Sequence, residues 1–441
     1  MSDLPQGWIK TTFSEIFDNL QYGLTAKADN TAPGTRFLRI TDIHNGLVLW
    51  DFVPGLAGEH DLERYILADG DFVFARSGSI EKVARLVNPP RAVFASYLIR
   101  ARPLVPQTAD YLAHFARSDD YLTQITDRAA GISMPNVNAA KLGTITVSVP
   151  SLPEQQRIVA KVDSLTGKSK CTRDHLDHVT RLIETYKQAI LTAAFRGDLT
   201  REWREGRHLP APHTVLLGDV VESFSYGSTT KSAKEGRVPV LRMGNIQDGK
   251  LDWTNLVFTD DAAEIAKYRL RKGDVLFNRT NSPALVGKTA LFTGEREAIY
   301  AGYLIKVRCK PQLLPAFLTY CLNAPNGRAY SWDVKTDGVS LSNINTRKLA
   351  AFRFDLPSTA EQAEIVRRIE SMFGWIDRLA NDATRARKLI DHLDKSVLAK
   401  AFKGELVPQD PSDEPASILL ERMRAERTTT PKAKRSRKKV T

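Results

Sequence analysis

Cysteine is scarce in this sequence, and long apolar runs are absent. The 441 residues include three widely spaced cysteines, Cys171, Cys309 and Cys321, which form neither a disulfide framework nor a zinc pattern. No segment approaches the roughly 20 apolar residues that span a bilayer. The opening MSDLPQGWIK contains an acidic residue and no apolar core, unlike a secretory signal. These features argue against a secreted or membrane protein and predict a cytoplasmic location.

Acidic residues are too few to balance the basic ones. The formal charge is +12, which favours a polyanionic partner. The segment 428–441, TTTPKAKRSRKKVT, carries four Lys and two Arg without an acid, so the rest of the chain carries +6. We expect residues 408–441 to form a basic, disordered tail with non-specific affinity for phosphate. The remaining charge is compatible with nucleic-acid binding but does not establish it.

Catalytic and metal-binding motifs are also missing or incomplete. The eight histidines show no HExxH or paired metal spacing, so no metal site is predicted. NPPR (88–91) resembles the (N/D)PP(F/Y) motif of amino-methyltransferases, but Arg91 replaces the aromatic residue that stacks on a flipped base. SPALVGKT (282–289) matches the end of a Walker A loop, but Ser282 replaces its first glycine. An enzyme using Asn88-Pro89-Pro90 or Gly287-Lys288-Thr289 is therefore the alternative hypothesis, and no catalytic residue is predicted.

The sequence does contain an internal duplication that runs along most of its length. FLRITDIHNG (37–46) matches VLRMGNIQDG (240–249), and YILADGDFVFARSGS (65–79) matches YRLRKGDVLFNRTNS (268–282). AVFASYLIRAR matches AIYAGYLIKVR, and GISMPNVNAAKL matches GVSLSNINTRKL, with an offset that drifts from 203 to 207. Two copies predict a pseudo-two-fold molecule rather than a solenoid, which needs at least three repeats.

Each copy divides into a globular part and a long helix. The first part of each copy has short alternating runs punctuated by Gly, Pro, Asn and Asp, typical of strands and turns. TITVSV (144–149) and AFRFDL (351–356) are predicted to close these parts as strands. SLPE (151–154) and STAE (358–361) then read as capping boxes in which Ser accepts from the backbone and Glu reaches back.

The two predicted helices share an apolar seam and an ending. Apolar residues recur at alternating steps of four and three from position 158 to 193, and again 207 residues later, which is typical of a coiled coil. Ser169, Thr172 and Lys400 weaken this seam locally. AAFRGDLT (193–200) and KAFKGELV (400–407) place a basic residue and then glycine at both helix ends, as in a C-cap. About 43 residues give a helix of about 65 Å. We expect the helices to pair antiparallel; the alternative is that each packs on its own globular domain.

With its two strings LPEQQRIVAKVD (152–163) and TAEQAEIVRRIE (359–370), each following a globular domain, and its AFRGDL and AFKGEL endings, the chain resembles the specificity (S) subunits of type I restriction–modification systems. The strings LRMGNI, GDVLFNRTNS and GVSLSNIN look like those of target-recognition domains. The resemblance covers residues 1 to about 410. It implies an α+β fold in which two homologous mixed α/β target-recognition domains are separated by a pair of long antiparallel helices. The expected bounds are 1–150 for the first target-recognition domain and 151–207 for the central long helix and its linker. The second target-recognition domain is expected at 208–357 and the C-terminal long helix at 358–407.

The resemblance also implies a function and partners. Each domain would read one half of a bipartite, asymmetric double-stranded DNA target, and the helices would set the spacer and dock two modification subunits. Those subunits would bring S-adenosylmethionine and methylate adenine, and separate restriction subunits would use ATP and Mg for translocation and cleavage. This chain itself would hold no cofactor and perform no chemistry.

The richest candidate DNA-binding segments are FARSGSIEK (74–82) and FNRTNSPALVGK (277–288), in which a buried strand delivers an arginine onto a polar loop. Arg76 and Arg279 suit guanine, and Lys82 and Lys288 suit phosphate; alternatively, the arginines stabilise a turn. Base readers are expected where the copies diverge. Four further residues are therefore candidate base readers: Ser77, Thr280, Gly78 and Asn281.

Two further pairs of segments contribute candidates. In LRIT (38–41) and LRMGN (241–245), both copies keep an arginine, Arg39 and Arg242, which favours a structural or phosphate-directed role, with Thr41 and Asn245 as short polar readers. SMPNVN (133–138) and SLSNIN (340–345) offer side chains suited equally to backbone contacts or Asx turns: Ser133, Asn136, Ser340 and Asn343. Tyr97 and Tyr303, inside apolar strands, are predicted to belong to the core.

Overall fold

The computed structural model describes residues 4–129, 135–247 and 249–429. The chain divides into two compact units: residues 1–175 with 386–441, and residues 176–385. Each unit holds one globular domain and half of each long helix. The first long helix spans Leu152–Phe195 and the second spans Thr359–Lys403. Two mixed α/β domains and two long helices therefore make up the fold, as the duplication predicted.

The first domain is built from short strands and four helices. Its helices are Phe13–Ile16, Ala109–Phe115, Asp119–Ala129 and Ala139–Gly143. Its strands are Ile9–Thr12, Gln21–Tyr22, Ala28–Asp29, Arg36–Leu38, Ile43–His44, Leu47–Val48, Gly55–Leu56, Phe72–Ala75, Val83–Arg85, Ala92–Phe94, Leu98–Ala101 and Thr146–Val149.

The second domain repeats this order with small differences. Its helices are Ala262–Tyr268, Pro315–Asn323, Pro325–Val334 and Thr346–Ala350, and Arg201–Glu205 precedes them. Its strands are His213–Leu216, Val221–Tyr226, Val238–Leu241, Ile246–Gln247, Lys250–Leu251, Val257–Thr259, Val275–Asn278, Thr280–Asn281, Thr289–Leu291, Ile299–Tyr300, Leu304–Cys309, Thr336–Asp337, Ser342–Asn343 and Arg353–Leu356.

The same four-stranded antiparallel sheet lies at the centre of both domains. In the second domain the order is Val221–Tyr226, Leu304–Cys309, Val275–Asn278 and Thr289–Leu291. The predicted strand DVLF is its buried middle, with all four of residues 275–278 buried. The predicted closing strand is also present, because Arg353–Leu356 pairs antiparallel with His213–Leu216. This sheet ends at the loop that carries Arg279, which is how the fold presents the candidate site.

A buried ion pair anchors the central sheet of each domain. The Asp274 carboxylate is 1% exposed and accepts three hydrogen bonds from the Arg308 guanidinium, at 2.9, 3.0 and 3.2 Å. It also accepts from the backbone N–H of Arg271. Asp71 and Arg102 repeat the arrangement in the first domain. Both aspartates come from the repeated Gly-Asp, so the duplication preserved a structural ion pair there.

We expect Arg308→Ala to destabilise the second domain by about 3–5 kcal/mol, because it leaves the buried Asp274 carboxylate without its cation. Arg269→Ala is the matched control, since Arg269 pairs with Glu297 at the surface and its loss should cost less than about 1 kcal/mol. Hydrogen exchange of the Val275–Asn278 amides in the full chain measures the difference. Equal protection in the two variants would contradict the prediction.

The long helices pair antiparallel within each unit. In the first unit, Ile158 and Val162 share a hydrophobic cluster with Ala401 and Phe402 from the end of the second helix. In the second unit, Leu191 and Ala194 of the first helix share a hydrophobic cluster with Ile365 and Ile369 from the start of the second. The start of one helix therefore lies beside the end of the other, and the antiparallel prediction is confirmed in both units.

Polar residues replace the predicted seam at two points. Thr172 and Tyr186 are exposed, and the next residue in each case turns toward the partner helix. Arg173 pairs with Asp391 and Asp394, at 3.0 and 2.5 Å. Lys187 pairs with Asp377 at 2.7 Å. The seam prediction was therefore wrong at Tyr186, whereas the weak point at Thr172 is as expected; ion pairs fix the register between the helices at both.

The C-terminal caps of the long helices were predicted correctly, and the N-terminal caps were predicted only in part. Gly197 and Gly404 adopt φ of +79° and +74°, the left-handed conformation of a C-cap. At the N-termini, the Ser151 and Ser358 hydroxyls accept from the Glu154 and Glu361 amides. The glutamates do not reach back, however, so the reciprocal half of the capping box was wrong.

Both glutamates instead fasten the helices to neighbouring segments. Glu154 accepts from the Trp8 indole, with both carboxylate oxygens at 3.1 Å. Burial raises the pKa of Glu154, and the Trp8 hydrogen bond partly offsets this. Glu361 is fully buried and accepts from the Thr200 hydroxyl and the Arg204 guanidinium. Local sequence favours a cap, but these long-range donors compete for the same carboxylates.

Part of the segment expected to be a disordered tail, residues 408–441, is helical. Ala416–Thr429 form a C-terminal helix whose Leu419 and Met423 are buried in the first domain's core. The Ala416 amide donates to the Gly7 carbonyl at 3.0 Å, and Arg424 pairs with Glu15 at 2.7 Å. The expectation of disorder was therefore wrong for residues 416–429, because apolar side chains of this charged segment pack on the core of the first domain. Residues 430–441 lie outside the described residues.

Candidate nucleic-acid interface

A polar concave surface on the second domain gathers most of the candidate residues of that copy. It consists of two adjoining cavities of about 470 and 530 Å³, which share Arg242 and Tyr303 in their walls; we call them together the domain 2 groove. Five predicted residues line it: Arg242, Arg279, Thr280, Asn281 and Lys288. Cations and hydrogen-bonding side chains on one concave surface are what duplex recognition requires.

The Arg242 side chain lines both cavities because its neighbour differs from that of Arg39. In the first domain, Arg39 donates two guanidinium hydrogen bonds to the Asp42 carboxylate. The second domain has Asn245 in place of Asp42, and the Arg242 guanidinium instead donates to the Asn255 carbonyl at 2.9 Å. Arg39 is thus held in an ion pair, whereas Arg242 remains part of the groove wall.

Asn245 does not reach the groove. Its side chain is 3% exposed, its oxygen accepts from the Arg242 amide, and its amide donates to the carbonyls of Asp252 and Thr254. The prediction that Asn245 reads DNA was therefore wrong, because its hydrogen-bonding groups are used inside the domain. Its counterpart turn keeps Thr41 exposed.

Arg279 is held by contacts inside the second domain. Its guanidinium donates to the Asn343 side-chain oxygen at 3.0 Å and to the Gly302 carbonyl at 3.3 Å, and it lies 4.6 Å from the centre of the Tyr226 ring. Asn343 in turn donates to the Thr280 hydroxyl at 2.9 Å. We call Arg279, Tyr226 and Asn343 the Arg279 cluster.

The first domain contains the same arrangement, the Arg76 cluster of Arg76, Tyr22 and Asn136. The Arg76 guanidinium lies 4.8 Å from the centre of the Tyr22 ring and 3.5 Å from the Asn136 oxygen. Ser77 forms a β-bridge with Asn136, just as Thr280 pairs with Asn343. The structure therefore brings the candidates Arg76, Ser77 and Asn136 together, with the Arg76 guanidinium against Tyr22 and Asn136.

The tyrosines of these clusters cap short helices. The Tyr226 hydroxyl accepts from the Thr346 amide at 3.1 Å, and the Tyr22 hydroxyl accepts from the Ala139 amide at 2.8 Å. Burial alone would raise the pKa of Tyr226, but contacts with the Thr346 hydroxyl and amide and the nearby Arg279 charge outweigh it and lower the pKa. A lowered pKa reflects how well the Tyr226 oxygen is supplied with donors.

The remaining predicted residues occupy varied positions. Lys288 lies 3.3 Å from the Gln247 side-chain oxygen in the groove wall, and Lys82 donates to the Ile40 carbonyl. Gly78 has a φ of +71° and is exposed. Ser340 is exposed between strands Thr336–Asp337 and Ser342–Asn343 and lines neither cavity. Ser133 lies outside the described residues.

Sequence reasoning missed three residues that line the domain 2 groove. Lys231 and Gln247 line the groove, and Tyr303, predicted to be core, is 48% exposed there; Tyr97 is 62% exposed. One signal was available: QYGLTAK (21–27) repeats as SYGSTTK (225–231), which aligns both the cluster tyrosines and a lysine. The exposure of Tyr97 and Tyr303 had no such signal, because both precede apolar strands.

Comparison with known proteins then decides the family. A family model described as the type I restriction modification DNA specificity domain matches residues 5–181 and 213–383. The chain belongs to this family. Each of the two matches covers one copy of the duplication, and together they include both Arg clusters and the domain 2 groove.

Individual family members align along nearly the whole chain. The StySPI specificity subunit of Salmonella potsdam is 28% identical, and the EcoKI specificity subunit of Escherichia coli K12 is 27% identical; each alignment covers 99% of both chains. A chain from a structure concerned with complex assembly and conformational transition of the type I R-M system has a TM-score of 0.70 at 20% identity, covering 92% of this chain and 100% of that one. The HsdS subunit of Thermoanaerobacter tengcongensis has a TM-score of 0.57 at 22% identity, with coverage of 92% and 98%.

The two alternative enzyme motifs do not have the structure that their chemistry needs. A Walker A loop leads into a helix whose N-terminus binds phosphate, whereas Gly287-Lys288-Thr289 leads into strand Thr289–Leu291. A side chain at Gly287 would also collide with Ser331. Asn88 lies in an exposed loop in the left-handed conformation, and its amide donates to Asp69.

Among the helices in the described ranges, none combines the length and the apolar composition that a bilayer span requires.

Proposed function

We propose that this chain is the DNA sequence-recognition subunit of a type I restriction–modification complex and has no catalytic site of its own. Each globular domain reads one half of a bipartite, asymmetric target. The long helices set the spacer and dock two modification subunits. S-adenosylmethionine is bound by those subunits, and ATP and Mg by restriction subunits where these are present.

The observation that carries this proposal is the domain 2 groove. Lys231, Arg242 and Lys288 supply positive charge from three separate segments of the chain, and Gln247 and Asn281 supply amides that suit base edges. Phosphate contacts from the cations fix the protein on the duplex, and amide contacts discriminate sequence. Asn281 and Gln247 align with Gly78 and His44 in the first domain, and Arg39, the counterpart of Arg242, is paired with Asp42. The two domains are therefore suited to different half-sites.

A charge-removal series tests the role of the groove. We expect Lys231→Gln and Lys288→Gln each to lower the slope of log affinity against log salt by about 0.9, because each removes one phosphate contact. Lys310→Gln is the control of equal charge, since Lys310 donates to the Asp219 carbonyl and lies outside both cavities. Fluorescence anisotropy of the reconstituted complex on a labelled duplex measures the slope. Equal slopes for all three variants would place the DNA elsewhere.

A further inference from the structure

The two Arg clusters hold their arginines through contacts within the domain, although Arg279 also lines the domain 2 groove. The Nε atoms of both Arg76 and Arg279 are buried, and the guanidinium of Arg279 donates to Asn343 and Gly302 inside the domain. An arginine that reads guanine needs its planar donors directed at the base edge. In this conformation each guanidinium instead contacts an asparagine oxygen and a tyrosine ring of its own domain, at 3.0 and 4.6 Å for Arg279 and at 3.5 and 4.8 Å for Arg76.

Each arginine connects three segments of its domain. The Arg279 amide donates to the Tyr303 carbonyl at 3.0 Å, and the Arg279 carbonyl accepts from the Ile344 amide at 2.9 Å. Its guanidinium packs on Tyr226. Arg76 makes the equivalent bonds, from its amide to the Tyr97 carbonyl and from the Val137 amide to its carbonyl, at 3.0 and 2.8 Å. The strand, the tyrosine-bearing turn and the asparagine loop are thus fixed by one residue in each domain.

A glycine next to each cluster tyrosine keeps the same turn in place. Gly227 follows Tyr226, and a Cβ there would lie 2.3 Å from the Tyr300 carbonyl oxygen and 2.5 Å from that of Ala301. Gly23 follows Tyr22, and a Cβ there would lie 2.3 Å from the carbonyl oxygens of Phe94 and Ala95. Only glycine allows this backbone approach. The turns before Tyr97 and Tyr303 are therefore held from two sides.

These turns present an exposed aromatic side chain in both domains. Tyr303 and Arg242 line both cavities of the domain 2 groove, and Lys231 and Lys288 each line one of them. Tyr97 is 62% exposed at the aligned position. A rigid aromatic ring between phosphate-binding cations, with a hydroxyl that can donate or accept, is suited to enter a DNA groove.

We propose that Tyr97 and Tyr303 contact the DNA groove and that Arg76 and Arg279 are positioning residues that hold them in place. This inference rests on the proposed function and reassigns the two arginines. Because both arginines act through a tyrosine turn rather than on DNA, replacing one should lower target affinity without removing a phosphate contact.

The test uses the complex reconstituted with its modification subunits and a fluorescein-labelled duplex. The duplex carries the sequence whose adenines are methylated in a host that expresses the complex. The variants are Arg279→Lys, Arg279→Gln, Tyr303→Ala and the double variant Arg279→Lys/Tyr303→Ala. Affinities for the target duplex and for an unrelated duplex are measured over a range of salt concentrations.

We expect Arg279→Lys, which keeps the charge but loses the planar fork, to weaken target binding on the order of tenfold and to leave unrelated-duplex binding unchanged. Tyr303→Ala should do the same, and the double variant should match either single variant because the residues act as one unit. Arg279→Gln should leave the salt slope unchanged. A slope lowered by about 0.9, or additive effects in the double variant, would show direct DNA contact by Arg279 and overturn the inference.

Tyr97→Ala provides a test that is independent of the Arg279 cluster and of its folding. It should relax discrimination in one half-site, while Tyr303→Ala relaxes the other; two variants that bind like the wild type would overturn the inference. A wild-type complex that shows no preference for its methylated sequence would instead overturn the proposed function. If the wild-type complex prefers its methylated sequence and every variant does so equally, only the roles proposed for the tyrosines and arginines are overturned.

Discussion

Exchanging residues 13–145 for the matching segment of another family member is expected to change one half of the DNA target completely and leave the other half intact. The segment contains the Arg76 cluster and Tyr97, and each domain has its own core and its own central sheet. Because the two domains share no strand in the described chain, the second half-site should not respond to the exchange.

The boundaries at 13 and 145 follow from the contacts of the first domain with the helices. Strand Ile9–Thr12 pairs with Thr146–Val149, the Trp8 indole binds Glu154, and the Gly7 carbonyl accepts from Ala416. An exchange of residues 1–150 replaces one partner in each of the last two contacts, whereas an exchange of 13–145 preserves all three. We therefore expect the shorter exchange to give the more stable protein.

The donor segment must also supply aromatic residues that contact the second long helix. Tyr111 and Phe115 both pack edge-on against Phe402, with ring centres 5.1 and 5.3 Å apart. A donor with small residues at these positions would leave a cavity costing about 3–5 kcal/mol. A donor that keeps them provides the clean test of specificity.

Sequencing of methylated adenines in a host that expresses the chimera with its modification subunits reads both half-sites in one measurement. The matched control is the chimera with residues 1–150 exchanged from the same donor, compared by thermal unfolding. A change in both halves of the target would contradict independent reading by the two domains. Equal unfolding temperatures for the two chimeras would contradict the boundary argument alone.

The features predicted best from sequence were those that the duplication reports twice. The long helices, their glycine caps and the buried strands before Arg76 and Arg279 each had a second copy that removed local ambiguity. Local patterns are sufficient there because helix ends and buried strands depend mainly on neighbouring residues.

The features that sequence reasoning missed depend on hydrogen-bond partners that local spacing does not reveal. Glu154 and Glu361 have the spacing of a capping box, but Trp8 and Arg204, far away in sequence, bind them instead. Asn245 looks like a surface reader until its three backbone partners are known. For the two glutamates a long-range donor competes with the local cap, whereas for Asn245 the competing backbone groups lie three to nine residues away. Spacing alone cannot rank these alternatives.

The exposure of Tyr97 and Tyr303 illustrates the same limit. Each lies just before an apolar strand, Leu98–Ala101 or Leu304–Cys309, so alternation predicted a core position. The structure places both in the turn before the strand begins, where the side chain leaves the sheet. A shift of one residue in a strand boundary reverses whether a side chain is buried, and boundaries are the least certain part of a strand prediction.

Lengthening the paired helices is expected to lengthen the spacer of the DNA target without changing either half-site. Four added helical residues extend a helix by about 6 Å, which corresponds to one to two base pairs at about 3.4 Å per base pair. In a coiled coil this insertion is a stutter, which unwinds the pair locally and does not break it. The effect should therefore appear in the spacer alone.

The place for the insertion follows from the two units. One insertion after His175 and a second after Arg385 fall at the two points where the chain passes between units. Arg173 then keeps Asp391 and Asp394 in the first unit, and Lys187 keeps Asp377 in the second. An insertion in the first helix only gives the two helices unequal lengths, so we expect it to lower the unfolding temperature relative to the paired insertion.

Methylated-adenine sequencing distinguishes the possible outcomes for these insertions. The paired variant should methylate the original half-sites separated by one or two additional base pairs. A four-residue insertion in the exposed segment after Pro408 is the matched control, since it lies beyond the end of the second helix and should leave the spacer unchanged. If the paired insertion also left the spacer unchanged while methylation continued, the helices would not set the distance between half-sites. In that case the two domains would still recognise the half-sites, but another part of the complex would set the distance between them.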